Sequence, residues 1–169
     1  MVLTYGAPLE APVPSTSETF LQNTVHYWQD WVKNMSISDF YQQQVIRSSL
    51  VLKIHQFEDT GGIIASTTTS LPEAPGSGRN WDYRYCWLRD TYYTLTAFNH
   101  IGHFEELEKY FYYIANISAS QKGRYQPLYS ISGSNQLVEK IMDLKGYLNN
   151  QPVRVGNQAY EHIQNDVYG

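Results

Sequence analysis

Apolar residues recur at helical spacing over much of the chain. Phe20, Leu21, Val25, Trp28, Trp31 and Val32 follow the i, i+3, i+4 pattern and predict a helix from Ser15 to about Lys33. Ser15 with Glu18 three places on has the form of a capping box. Residues 1–14 carry Pro8, Pro12 and Pro14 without apolar periodicity and read as a linker or tail, so that residues 1–15 stand apart from residues 16–169. A second helix is predicted from Ser38 through Val45, Ile46, Leu50, Val51, Leu52 and Ile54. It is apolar on more than one face, as expected of a helix covered on two sides in layered helices. Gly61-Gly62 stops it, and the β-branched run 63–69 reads as extended. Residues 70–80, with Pro72, Pro75, Gly76 and Gly78, read as a loop, and residues 83–87 as extended again. Asp90 opens a helix containing Leu95, Phe98 and Ile101, which Gly102 ends. Leu107, Phe111, Ile114 and Ile117 mark the core stripe of the next helix. Residues 118–134 are rich in turn formers, 135–144 read as a short helix, 146–157 as a loop, and Ala159, Ile163 and Val167 as a last helix. The fold class predicted is mainly α, with short extended segments in long loops of the kind that carry function.

Composition narrows the classes. A chain of 169 residues with 42% apolar residues supports one ordinary globular domain. The aromatic share is 15%, with fifteen tyrosines, which suits stacking on sugar rings and equally suits packing between helices. A net charge of −4 without any Lys/Arg cluster argues against a nucleic-acid partner. Cys86 is the only cysteine, which excludes an intrachain disulfide and argues against a cysteine-built metal site. No apolar stretch approaches the length of a membrane span. The chain start lacks a basic segment followed by an apolar run, so a cytoplasmic location is the expectation. Asn34-Met-Ser36 and Asn116-Ile-Ser118 match a glycosylation triplet and are read as chance.

The densest chemistry lies in Arg79-Asn-Trp-Asp-Tyr-Arg-Tyr-Cys-Trp-Leu-Arg-Asp90. Arg89 and Asp90 offer fixed donors and acceptors to neighbouring hydroxyls, and Tyr83, Tyr85 or Trp87 can supply a stacking face. That is what a monosaccharide pocket needs. An equally good reading makes Asp90 the cap of its helix and pairs Arg89 with Asp82 or another carboxylate.

This segment, together with Thr60-Gly-Gly-Ile-Ile-Ala-Ser-Thr-Thr-Thr-Ser-Leu-Pro-Glu73, resembles bacterial members of glycoside hydrolase family 15, the glucoamylase, glucodextranase and trehalase-like enzymes. The resemblance extends to Tyr27-Trp-Gln-Asp-Trp31 and Val45-Ile-Arg-Ser-Ser-Leu-Val-Leu-Lys53 on one side. On the other it takes in Leu144-Lys-Gly-Tyr147, Pro152-Val-Arg-Val-Gly-Asn157 and Gln164-Asn-Asp-Val-Tyr-Gly169. It implies part of a barrel of six inner and six outer helices with the active site among the loops at one end. It also implies hydrolysis of a terminal α-linked glucose with inversion. By the same resemblance Arg89 and Asp90 bind hydroxyls of that glucose, Tyr83 lies beside it and Trp87 walls the pocket, while Trp81, Asp82 and Arg84 shape the loop.

Departures limit the expectation. Inverting hydrolysis needs one carboxylic acid and one carboxylate about 6.5–9.5 Å apart. In the family both glutamates lie C-terminal to the Asp-Val-Tyr-Gly segment, so no catalytic residue is assigned here. The family's preceding β-sandwich has no counterpart either. Gly62 and Ser66 replace small alanines, and three threonines precede Ser70. Glu73, Asp82 and Glu161 show no spacing that would place two of them across a glycosidic bond, and Glu105, Glu106 and Glu108 read as a solvated face. The five histidines lack ligand spacing apart from His100 and His103, so neither metal nor cofactor is expected. The expectation is thus an inverting, exo-acting, glucoamylase-like α-glucosidase segment that supplies a glucose-binding subsite and is inactive alone. Its alternatives are a non-catalytic sugar-binding module and a purely structural helical fragment. Uncovered helix faces predict self-association.

Overall fold

The computed structural model describes residues 3–9 and 12–168. Parts of the expected tail, and the end of the Asp-Val-Tyr-Gly segment, lie outside the described residues. The chain divides into two compact units, residues 1–36 and 37–169.

The first unit is built on helix α1, Val13–Lys33. It starts two residues before the expected Ser15, because Pro14 fits the first turn, where an N–H has no intrahelical partner anyway. Ser15 Oγ donates back to the Pro12 carbonyl at 3.1 Å, and no side chain caps the helix, so the capping box does not form. Residues 13–15 of the expected tail are therefore helical. Phe20, Leu21 and Val25 are exposed along this helix.

The second unit holds three helices, α2 (Gln42–Lys53), α3 (Leu88–His100) and α4 (Phe104–Ser120), confirming a mainly helical chain. Helix α2 begins four residues later than expected, after Tyr41 in the left-handed region, and only one of its two apolar sides is covered. Val51 and Ile54 are exposed, while Ser49 and Lys53 are buried. Gly102, with φ +83°, makes the tight turn between α3 and α4. The buried stripe of α4 is Glu106, Tyr110, Tyr113 and Ile117, so of the predicted series Ile117 is buried whereas Phe111 is 67% exposed. Glu106 was expected in solvent but is only 2% exposed, where Lys53 meets it at 3.2 Å. A buried charge persists with such a partner. Lys53 and Lys109 also bind Glu58; burial pushes the Glu58 carboxyl upward, but these two ammonium groups hold it below the usual range.

Three short antiparallel pairs supply the extended segments. Strand β1 (Thr69–Pro72) pairs with β2 (Asn80–Asp82), so the expected 70–80 loop is a hairpin. Strand β3 (Cys86–Trp87) pairs with β4 (Leu128–Tyr129). Strand β5 (Lys140–Met142) pairs with β6 (Val153–Val155), replacing the helix expected over 135–144. Val153 and Val155 provide β-branched partners, and pairing of this kind overrides a weak helical preference. The expected last helix is two 3-10 turns, Gln158–Glu161 and Asn165–Tyr168.

Cys86, Phe98, Leu128 and Tyr129 are fully buried, with Tyr113 and Ile117 nearly so. Burial pushes the Cys86 thiol up to about 12, which keeps it a neutral packing group. Trp87, Leu128 and Leu137 form a second cluster, against which Tyr83, Tyr85 and Ala159 pack. That cluster is the floor under the candidate site.

Candidate functional site

The segment from Arg79 to Asp90 runs through β2, a short extended stretch, β3 and the first turn of α3. Backbone bonds fix the stretch: Ser66 N donates to the Tyr83 carbonyl and Ala65 N to the Tyr85 carbonyl, both at 2.9 Å. Extended backbone alternates its side chains. Asp82 is accordingly buried between Trp81 and Tyr83, which are only half-buried. Asp82 accepts from Arg84 Nε and Nη2, each at 2.9 Å, and from Gly156 N at 3.3 Å. Its carbonyl accepts from Asn157 Nδ2 at 2.9 Å. Asp82 and Arg84 therefore join β2 to the chain after β6, which is a scaffolding role.

Trp81, Tyr83 and Trp87 line a cavity of about 350 Å³. Glu139, Asn157, Gln158, His162 and Gln164 supply polar groups to the same lining, with Ala159 among them. The Tyr83 and Trp87 rings lie 6.2 Å apart at 47°. Tyr83 Oη donates to Glu73 Oε1 at 3.1 Å, and Arg79 Nε donates to Glu73 Oε2 at 2.6 Å. The Arg79 guanidinium, and after it the Tyr83 hydroxyl, hold the Glu73 carboxyl below the usual range. Burial, and then the same carboxylate, push the Tyr83 hydroxyl up, so it remains a donor. The Arg154 guanidinium sits 4.7 Å from the centre of the Trp81 ring and pairs with Glu139.

Arg89 and Asp90 stand elsewhere on the same segment. Arg89 Nη1 donates to Asp166 Oδ2 at 2.9 Å, and Nη2 donates to Asp90 Oδ2 at 3.2 Å. Against the downward pull of partial burial, Asp90 and Asp166 raise the guanidinium further above its ordinary value. Asp90 is in the first turn of α3, where a carboxylate complements the helix N-terminus, but Trp87 occupies the cap position. Asp90 lines a separate hollow of about 330 Å³ with His55, Ile63, Tyr93 and Thr94. Of the four expected sugar contacts, Tyr83 and Trp87 thus line one recess and Asp90 another, with Arg89 held between Asp90 and Asp166.

Sequence reasoning missed Glu139, His162 and Asp166. Asp166 and Asn157 lie in segments that carried the resemblance, which was a usable signal, whereas Glu139 lay in a stretch read as helix. Among the carboxylates weighed as substitutes, Glu73 is engaged by Arg79 and Asp82 by Arg84, while Glu161 accepts from Tyr160 Oη at 3.0 Å. Among the described residues, no group of three or more His, Cys, Asp or Glu side chains could hold a metal ion. Among the same residues, no helix is long and apolar enough to cross a membrane.

Comparison with known proteins bears directly on this segment. A trehalase of Thermoplasma acidophilum is 41% identical over 161 residues, 95% of this chain and 28% of the relative. A trehalase of Thermoplasma volcanium is 42% identical over 149 residues, 88% of this chain and 24% of the relative. A trehalase of Mycolicibacterium smegmatis is 37% identical, over 94% of this chain and 25% of the relative. The chain therefore spans about a quarter of the length of the curated relatives it matches. No solved structure matches it. The sequence model of Glycosyl hydrolases family 15 matches residues 38–169, which takes in both recesses, and the chain belongs to that family.

Proposed function

We propose that this chain is the part of an inverting, exo-acting α-glucoside hydrolase that holds the released glucose, and that it cleaves nothing alone. On this reading residues 16–169 are the N-terminal part of a helical barrel. The observation that carries it is the cavity beside the Arg79–Asp90 segment. Trp81, Tyr83 and Trp87 bring aromatic rings to its lining, and amides, an imidazole and a carboxylate share it. Aromatic faces suit the C–H faces of a pyranose, and convergent polar groups suit its hydroxyls. Arg89 and Asp90 lie outside that lining; Asp90 faces the separate hollow, and the family resemblance is what assigns the pair to sugar hydroxyls.

The similar proteins are named trehalases, so trehalose is the α-glucoside favoured, ahead of the starch ends of a glucoamylase. Cleavage needs an acid whose pKa is raised, opposed by a carboxylate. Glu73 is held down by Arg79 and so does not suit the role of acid, and Glu139 is engaged in an ion pair with Arg154.

The test is calorimetric titration of the purified chain with glucose and trehalose, together with a glucose-release assay. Binding of both sugars is expected, weakened by Arg89→Ala, with release at the blank level. A folded chain that binds neither sugar overturns the subsite, and release above the blank overturns the inactivity.

A further inference from the structure

Helix α2 is tied down by charge more than by apolar packing. Of its 12 residues Ser49 and Lys53 are the buried ones, while Val51 is exposed and Val45, Ile46, Leu50 and Leu52 are half-buried. Ser49 Oγ donates within the helix, to the Val45 carbonyl at 2.8 Å. Lys53, at the last position, instead reaches out of it. Its Nζ lies 3.0 Å from Glu58 Oε2, 3.2 Å from Glu106 Oε1 and 3.4 Å from Gln56 Oε1, an acceptor for each of three N–H groups. Lys109 of α4 binds the other oxygen of Glu58 and meets Glu105 Oε1 at 2.8 Å. Glu58 thus bridges a lysine of α2 and a lysine of α4. In the turn before α4, His103 places Nδ1 3.6 Å from Glu106 Oε2. The neighbouring Asp59 is exposed, and His55 lines the hollow that Asp90 faces.

The stretch that carries Glu58 is anchored without charge. Gln56 Nε2 donates to the Glu106 carbonyl at 2.9 Å, and Thr60 Oγ1 donates to the Ile131 carbonyl at 2.6 Å. Acid can therefore loosen α2 while the chain after it stays in place. Burial pushes the Glu58 carboxyl up, but the Lys109 and Lys53 ammonium groups outweigh it and hold it below its ordinary value of 4.5. A carboxylate so depressed stabilises fully above the ordinary value and ceases to do so as pH falls through the lower folded one. Protonated glutamates would leave Lys53, Lys109 and a His103 imidazolium facing one another without their anions.

We propose that Lys53, Glu58, Glu106 and Lys109 form an acid-labile latch, which keeps α2 on α4 at neutral pH and releases it in acid. Val51 and Leu52 of α2 line the hollow with Asp90, Tyr93 and Thr94, so release of α2 opens that hollow to solvent.

Hydrogen exchange read by mass spectrometry, corrected for intrinsic rates, tests this on the purified full chain. From neutrality to about pH 3, protection over residues 42–53 should fall about tenfold or more, while α3 and α4 keep theirs. Glu58→Gln changes an exposed position, and circular dichroism checks that the variant keeps its fold. It should show weakened α2 protection already at neutral pH, and a flattened profile below. Glu108→Gln, at an exposed carboxylate of α4, should behave as wild type. Loss of α2 protection only together with that of α3 and α4 is global unfolding and overturns the latch. A Glu58→Gln chain with the wild-type profile overturns it as well.

Discussion

The Glu73 carboxylate gathers Arg79 and Tyr83, and so orients the hydroxyl of a ring that lines the cavity. Glu73 is thereby a positioning residue, and a double-mutant cycle exposes that role. Tyr83→Phe and Glu73→Ala should each weaken sugar binding about threefold, and the double variant no more than either alone. Additive losses would mean that Glu73 acts by another route. The same pair gives a pH dependence. The folded-state pKa of Glu73 is depressed, so its contribution is complete above the ordinary carboxylate value of 4.5 and fades as pH falls through the lower folded value. Sugar affinity followed by titration should therefore drop at acid pH in the wild type, and Glu73→Gln should flatten that part of the profile.

Two packing details carry the helical elements. Gly61 has φ +81°, and a Cβ there would run into the Lys109 carbonyl of α4. Gly61→Ala should cost about 2 kcal/mol or more in denaturant unfolding, because strain and overlap act together. Lys53 and Glu106, from α2 and α4, form an ion pair with both side chains buried, so Lys53→Met should cost about 3 kcal/mol by leaving a carboxylate inside. Neither feature was readable in the sequence. Periodicity located α1 to α4 to within a few residues but, Ile117 apart, missed the buried residues of α4. Tyr110 and Tyr113 outweigh Leu107 and Phe111 in the core because β3 and β4 offer Cys86 and Tyr129 to them. Strand β5 was unreadable for a related reason, since Lys140, Ile141 and Met142 are exposed and only their partners in β6 make them a strand. The candidate site was half legible. Tyr83, Trp87, Arg89 and Asp90 sit in one dense motif, but Glu139 and His162 join it through long-range pairing that local pattern does not encode.

At the level of the whole chain, the uncovered apolar residues include Val51 on α2 with Ile54 just after it, Tyr92 and Tyr93 on α3, Phe111 and Tyr112 on α4, and a run through Ile141, Met142, Leu144, Tyr147 and Leu148. Grouped exposure of this kind favours association. Sedimentation of the isolated chain should show concentration-dependent oligomers, and a monomer at all concentrations would contradict that expectation.

The bonds from Thr69 and Ser70 to Arg154 bridge positions 84 and 85 apart in the chain. Contacts of such separation form late, since a long loop must close before they contribute. Arg154 in turn holds Trp81 and Glu139 of the recess, which should therefore be completed only near the end of folding, and a sugar occupying it would act as a clasp on the finished chain. At a hundredfold excess over Kd that clasp is worth about 2.7 kcal/mol. Trehalose should then raise the melting temperature and slow amide exchange at both ends of the bridge, leaving α1 untouched.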